Sequence, residues 1–140
     1  MAGIKVLADT GPLVAFVSKT DQHPWAMAAF GSLYEPLFTC ESVISEMIYL
    51  LQSDGVEVET FFQMIERGLV RMDFSVEDNR SDVLRLLRKY ADQPMSLADA
   101  CLVRMAELTN HCQIFTTDSD FLVYRRKGRQ VIPLLAPFDS

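Results

Sequence analysis

The chain opens with a short apolar run of β type, Ile4-Lys5-Val6-Leu7-Ala8, that stops at Asp9-Thr10-Gly11-Pro12. This pattern predicts a strand giving way to a helix, because proline fits the first helical turn, where its missing N–H has no partner to lose. Leu13, Val14, Phe16 and Val17 continue that helix. After the polar break from Ser18 to Gln22, His23-Pro24 starts a second helix through Trp25, Met27, Phe30 and Leu33, and Pro36 closes it. Leu37-Phe38-Thr39-Cys40 predicts a second strand. Over residues 41–52, Val43, Ile44, Met47, Ile48, Leu50 and Leu51 recur at helical spacing. Asp54-Gly55 ends that helix, and Val58, Phe61, Phe62 and Ile65 mark another that Gly68 terminates.

Leu69-Val70-Arg71-Met72 reads as a third strand. A long amphipathic helix follows from Val76 to Tyr90, with Val83, Leu84 and Leu87 inward and Arg85, Arg88 and Lys89 outward, and Pro94 breaks the pattern. Ser96 is placed to cap a helix running through Leu102 and Met105 to Leu108. Gln113-Ile114-Phe115-Thr116 predicts a fourth strand, and Gln130-Val131-Ile132 a last one. No repeat, low-complexity stretch or linker interrupts the series. Strands alternating with helices over 140 residues predict one α/β domain, residues 1–140, around a mainly parallel sheet of five strands.

Composition narrows the class. With 49% hydrophobic and 23% charged residues, the chain is an ordinary globular protein, which excludes disordered, collagen-like and disulfide-scaffold classes. A net charge of −6 argues against holding nucleic acid by bulk positive charge. It leaves room for a local patch, and an acidic excess gathered in one place can hold cations. Cys40, Cys101 and Cys112 form no CxxC pair and read as reduced, buried thiols. No apolar run approaches the ~18 residues a membrane span needs. Asp9 interrupts the apolar stretch Ile4 to Val17 and no small-residue cleavage site follows, so the expectation is mature structure in the cytoplasm.

The carboxylates carry the chemistry. Open parallel sheets bind ligands at the carboxyl ends of their strands. Asp9 ends the first strand, and Asp118 and Asp120 follow the fourth. Aspartate also serves simply as a turn residue at such ends. Glu46 lies three residues after Val43 and four before Leu50, so it shares or borders the apolar face of its helix. Buried there it costs on the order of several kcal/mol unless it is paired or ligating, whereas at the edge of the stripe it reaches solvent. Ser96-Leu97-Ala98-Asp99 has the spacing of a capping box, which satisfies the helix start and also sets a carboxylate beside the sheet edge. If Asp9, Glu46, Asp99 and Asp118 converge, protons or divalent cations must neutralise them. Oxygen ligands without clustered His or Cys select Mg²⁺ or Mn²⁺ over zinc. Such a site suits metal-assisted hydrolysis of a phosphodiester.

These segments resemble the PIN-domain family, which includes the toxin half of bacterial VapBC toxin–antitoxin pairs. The likeness rests on Asp9-Thr10-Gly11-Pro12-Leu13, Ser45-Glu46, Ser96-Leu97-Ala98-Asp99-Ala100 and Thr116-Thr117-Asp118-Ser119-Asp120-Phe121, in order over nearly the whole chain. The resemblance implies a three-layer α/β/α sandwich and a Mg²⁺- or Mn²⁺-dependent endoribonuclease acting on single-stranded RNA or a structured-RNA loop. It also implies a homodimer and, for a toxin, an antitoxin partner. By position, Asp9, Glu46, Asp99 and Asp118 become the acidic quartet that binds metal, with Asp120 at a position the family fills variably. Thr116 matches a hydroxyl that orders the metal site. Thr10 either assists through its own hydroxyl or serves as an ordinary turn residue. Other members act in RNA maturation and decay, and a catalytically silent module that binds metal and a partner is the alternative reading.

Arg125, Arg126, Lys127 and Arg129 form the densest basic run. They read either as contacts to an RNA backbone or as a solvated loop. His23 and His111 have no second ligand at metal spacing and read as capping or surface residues. Trp25, Phe30, Phe61 and Phe62 read as core or interface positions, with the Phe61/Phe62 helix the candidate partner surface. A phosphoaspartate enzyme would need a second acid two residues after Asp9, where Gly11 stands. A receiver domain would need a lysine near Thr116-Thr117-Asp118, which has none.

Overall fold

The structure, a computed structural model, describes residues 3–138, so the outermost ends of the expected domain lie outside the described residues. The first half runs β1 (Lys5–Ala8), α1 (Thr10–Val17), α2 (His23–Gly31), β2 (Leu37–Thr39), α3 (Glu41–Ser53), α4 (Glu59–Glu66) and β3 (Val70–Met72). The second half runs α5 (Arg80–Lys89), α6 (Leu97–Glu107), β4 (Cys112–Phe115), a 3₁₀ turn (Ser119–Leu122), β5 (Arg125–Arg126), β6 (Gln130–Val131) and β7 (Leu134–Leu135).

Five of these strands form one sheet in the order β3-β2-β1-β4-β7, every pair parallel. The central pair is the longest, with Lys5 to Ala8 in register with Cys112 to Phe115. Leu7, Ala8, Ile114 and Phe115 are fully buried. Successive strand residues point to opposite faces, so burial of both members of each pair requires cover on both sides of the sheet. Helices supply it, giving the expected α/β/α sandwich. Trp25 and Phe30 from α2 pack on Phe115, with ring centroids 5.3 and 5.6 Å away. All three cysteines are free and buried. No helix among the described residues is long and apolar enough to cross a membrane.

Four local expectations are corrected. The fifth strand of the sheet is Leu134–Leu135; Gln130–Val131 pairs antiparallel with Arg125–Arg126 in a separate hairpin. Lys127 and Gly128 turn that hairpin with positive φ of 50° and 88°, and Pro133 separates its second strand from β7. The amphipathic helix begins at Arg80 and not at Val76. Ahead of it, residues 76–79 form a separate turn, in which Asp78 N–H donates to Ser75 Oγ at 3.1 Å and Asn79 Nδ2 donates to Ser75 O at 2.8 Å. Its buried residues are Val83 and Leu86, while Leu84 faces solvent. In α4, Phe61 is fully buried and only Phe62 is exposed, so half of the expected partner surface belongs to the core.

Candidate active site

The sheet order fixes where a ligand can enter. The chain steps outward from β1 to β2 and β3, then returns to lay β4 on the other side of β1. Connections leaving the carboxyl ends of β1 and β4 therefore diverge, and a crevice opens between them. Asp9 follows β1 and Thr116-Thr117-Asp118 follows β4, so the topology joins two segments more than a hundred residues apart.

Asp9 is the N-cap of α1, and its Oδ1 accepts from Thr10 N–H at 2.8 Å. Its Oδ2 accepts from the Thr116 hydroxyl at 2.7 Å, and its own N–H donates to Phe115 O at 2.9 Å. Thr116, fully buried, also accepts from Asp118 N–H at 2.9 Å, so one hydroxyl links the two strand ends. Asp118 in turn caps the 3₁₀ turn, accepting from Asp120 N–H at 2.9 Å. Behind Asp9, the Thr39 hydroxyl at the end of β2 donates to Ala8 O at 2.7 Å.

Asp99 closes the capping box of α6. Its N–H donates to Ser96 Oγ at 3.1 Å and its Oδ2 accepts from Ser96 N–H at 3.4 Å. The same Oδ2 accepts from the phenol of Tyr124 at 3.0 Å. Tyr124 is fully buried, with its ring set edge-on against Tyr90 and Phe121.

One cavity of about 360 Å³ is lined by Asp9, Thr10, Glu46, Asp99, Thr117 and Asp118 among others. Glu46 on α3 also lines this cavity and is exposed, which selects the second of its two readings, a carboxylate at the edge of the stripe that reaches solvent. Val43 and Met47 make that stripe, and Glu46 stands off its edge. Asp120 is half-buried beside Asp118 and does not line this cavity. Among the described residues no three Asp, Glu, His or Cys side chains stand close enough to enclose an ion. The carboxylates share the walls of the cavity without forming a tight cluster, because Asp9 and Asp99 are drawn back onto protein donors.

Burial dominates the electrostatics. It pushes the Asp9 carboxyl up to about 6, against the pull of Thr116 and Thr10 and with a smaller push from Asp99 and Asp118. Burial also raises Asp99, opposed by the Tyr124 hydrogen bond, and the Tyr124 phenol is pushed far above its ordinary value by burial and by Asp99. A group of partly desolvated carboxylates with no basic residue on the cavity wall is an environment that a hard divalent cation stabilises. The donor set is all oxygen, and the buried Thr10 hydroxyl has no hydrogen-bond partner. An all-oxygen donor set of this kind suits a hard divalent cation by its chemistry.

The basic run is largely used inside the molecule. Arg125 Nη1 donates to the carbonyls of Leu122, Val123 and Tyr124 at 2.7, 3.2 and 3.0 Å. Arg126 Nη1 reaches Ala106 O at 3.2 Å and Thr109 O at 3.1 Å, which closes the carboxyl end of α6. Lys127 Nζ donates to Asn110 Oδ1 at 3.1 Å, and Arg129 is exposed. His23 Nδ1 donates to Ala15 O at 2.7 Å and ties α2 to α1. Tyr124 and Thr39, to which the sequence assigned no role, support the site from behind, and Thr117 of the strand-end motif lines the cavity. No local signal marked Tyr124, whose partner Asp99 is 25 residues away.

The family model for the PIN domain matches residues 6–127. A comparison with individually curated proteins gives no match.

Proposed function

The chain belongs to the PIN-domain family, whose members are generally nucleases that use divalent metal ions, and we propose that it is a Mg²⁺- or Mn²⁺-dependent endoribonuclease cutting single-stranded RNA. The observation that carries this reading is the cavity at the carboxyl ends of β1 and β4, where Asp9, Glu46, Asp99 and Asp118 share the walls. These four would hold the cation, with Asp120 in support through Asp118. When bound, the cation supplies an activated water and neutralises charge growing on the phosphate.

The remaining work falls to the chain itself. Thr116 and the Thr10 N–H fix both oxygens of Asp9, so that its carboxylate does not have to be reorganised during reaction. Tyr124 and Ser96 converge on Oδ2 of Asp99 and leave Oδ1 as the oxygen free for a ligand. Glu46, exposed at the rim, closes the side of the cavity toward solvent. In this reading the protein is the toxin of a cytoplasmic toxin–antitoxin pair and acts as a homodimer.

Cleavage of a labelled RNA panel by wild type and Asp99→Asn, with Mg²⁺, Mn²⁺ or EDTA, tests the reading. Cutting that requires both the metal and Asp99 supports it. Metal binding without cleavage of any RNA supports the silent binding module instead. Arrested growth on induction, relieved by a neighbouring partner protein, separates a toxin from an enzyme of RNA processing.

A further inference from the structure

One face of α3 lies open beside the carboxylates. Ser42, Ser45, Glu46 and Tyr49 are spaced so that they fall on one stripe of that helix. Val43, Ile44, Met47 and Leu51 occupy the opposite side and are buried. Core packing therefore fixes the rotation of α3 and turns the polar stripe outward. Long side chains on a helix incline toward its N-terminus, so the Tyr49 ring leans over the turn of Ser45 and Glu46.

An open groove of about 600 Å³ runs along this stripe, between Tyr49 and Ser45 of α3 and Leu97 at the start of α6. It shares Glu46 and Ser96 with the cavity of Asp9, Asp99 and Asp118, so the two depressions are continuous. Tyr49 is 69% exposed and contributes little to the core. A single exposed aromatic residue needs no function of its own. Tyr34, more exposed still, lies with Ile4 and Gln113 at the amino ends of β1 and β4, away from the carboxylates. Tyr49 differs by its place, one helical turn from Glu46 on the wall that leads into the cavity.

Charge decides which part of a nucleotide this groove takes. Glu41 and Glu46 line it, and no Lys or Arg among the described residues does. Two carboxylates repel a phosphate and leave an uncharged base unaffected. A base offers an apolar face to a tyrosine ring, and its polar edge can meet a serine hydroxyl as donor or acceptor.

We propose that Tyr49 forms a nucleobase-stacking subsite, in which an unpaired base flanking the scissile phosphate lies on its ring between α3 and α6. The proposal rests on the nuclease reading above and adds to it a physical basis for taking single strands. A base paired and stacked within a duplex is not free to turn onto Tyr49. Stacking on an aromatic ring tolerates every base, so the subsite selects an unpaired base and not a sequence.

The decisive variants are Tyr49→Ala, which removes the ring, and Tyr49→Phe, which keeps it. The alanine variant melts within about 3 °C of wild type, because an exposed side chain adds little stability, and its Mn²⁺ affinity without RNA is unchanged. Its kcat/KM for single-stranded RNA falls at least about fivefold, the loss expected for one base–aromatic stack, and Tyr49→Phe recovers most of it. Abasic nucleotides placed one at a time around the cut lower wild-type cleavage by a similar factor at one position. There they cost Tyr49→Ala nothing further, since the partner of the base is already gone. With Mg²⁺ present, a short RNA carrying 2-aminopurine at that position loses fluorescence on binding wild type and keeps it with Tyr49→Ala.

Wild-type cleavage by Tyr49→Ala overturns the subsite and leaves the nuclease standing, as do abasic losses that add to that of the variant at every position. Reduced Mn²⁺ affinity in Tyr49→Ala assigns the ring to the support of Glu46 and also overturns it. A changed sedimentation coefficient in that variant assigns the ring to a contact between copies of the chain, with the same consequence. Quenching of 2-aminopurine that needs Tyr49, with no RNA cut under any condition, keeps the subsite and removes only the nuclease reading.

Discussion

Tyr124 donates its phenolic hydrogen to Oδ2 of Asp99 at 3.0 Å, across a sequence separation of 25 residues and with the phenol fully buried. The bond reaches Asp99 from the segment between the 3₁₀ turn and the β5–β6 hairpin. That segment is itself anchored: Arg125 N–H donates to Tyr90 OH at 2.8 Å, and Lys89 Nζ donates to Gly128 O at 2.9 Å. The cationic run therefore delivers a tyrosine to a carboxylate. Tyr124→Phe keeps the ring against Tyr90 and Phe121, whose centroids lie 5.1 and 5.2 Å away. Partners that orient a ligating carboxylate are worth about 10–100-fold in metal affinity. We expect Tyr124→Phe to weaken Mn²⁺ binding by about that factor in a calorimetric titration, while stability falls by only about 1 kcal/mol. Unchanged affinity would show that Asp99 does not need the phenol.

The Asp9 carboxyl gives the metal-free protein an unusual pH dependence. Its folded pKa is raised from 3.8 to about 6, with burial as the main cause. Between those values the folded state holds more protons than the unfolded state, so stability falls as pH rises from about 4 through about 6. A two-unit shift corresponds to about 3 kcal/mol at most. Urea unfolding in EDTA across this range should show the decline. Asp9→Asn should make it shallower, with Asp99, also raised by burial, keeping part of the decline, and Mn²⁺ should recover stability above pH 6 in wild type. A wild-type profile that rises with pH over this window would contradict the assignment.

The far end of α6 carries a stability element separate from the site. Glu107 has a side chain 5% exposed, with Oε1 2.7 Å from Arg85 Nη2 and 3.4 Å from Arg104 Nη1. Its Oε2 accepts from Lys127 N–H at 2.9 Å, so one carboxylate joins α5, α6 and the hairpin turn. Removing this charge leaves Arg85 and Arg104 with Asp82 alone, 3.4 and 3.2 Å away. Glu107→Gln should cost about 1 kcal/mol, read as a lower urea midpoint with an unchanged slope. RNA cleavage at 25 °C should stay within about twofold of wild type, because Asp99 lies roughly 12 Å away along the helix axis.

What could be read in the chain follows from which interactions are local. The Ser96–Asp99 capping box and the strand-to-helix switch at Asp9 are set by neighbours within three residues, and both appear where their spacing predicts. Residues 76–79 form a turn of their own ahead of the helix, held by bonds between Ser75, Asp78 and Asn79 that hydrophobic spacing cannot register. Leu134–Leu135 gives only two residues of signal after Pro133, and its pairing with Ile114 and Phe115 is non-local. Glu46 was ambiguous because a stripe of Val43, Ile44, Met47 and Leu51 leaves a neighbouring position either inside or at the edge. Tyr124 was hidden because its partner is 25 residues away and its neighbours are charged. The site was legible where a carboxylate ends or starts an element, and illegible where a second residue holds that carboxylate in place.

Gly11 and Thr117 offer the sharpest test of how tightly the two halves of the site are fitted. Gly11 lies in the first turn of α1, its φ is not positive, and alanine is the better helix former by about 1 kcal/mol. Local propensity alone therefore predicts that Gly11→Ala stabilises the protein. The added Cβ would instead stand 2.0 Å from Thr117 Oγ1 and 3.2 Å from its Cβ. Thr117 is branched at Cβ and has only χ1 with which to move aside. We expect Gly11→Ala to lose about 1–3 kcal/mol in urea unfolding, the usual range for overpacking. The double variant Gly11→Ala/Thr117→Ala removes the oxygen that clashes and should regain most of that stability, so the two changes couple strongly in a double-mutant cycle. Additive effects would mean that α1 and the β4 loop are not in contact through these residues.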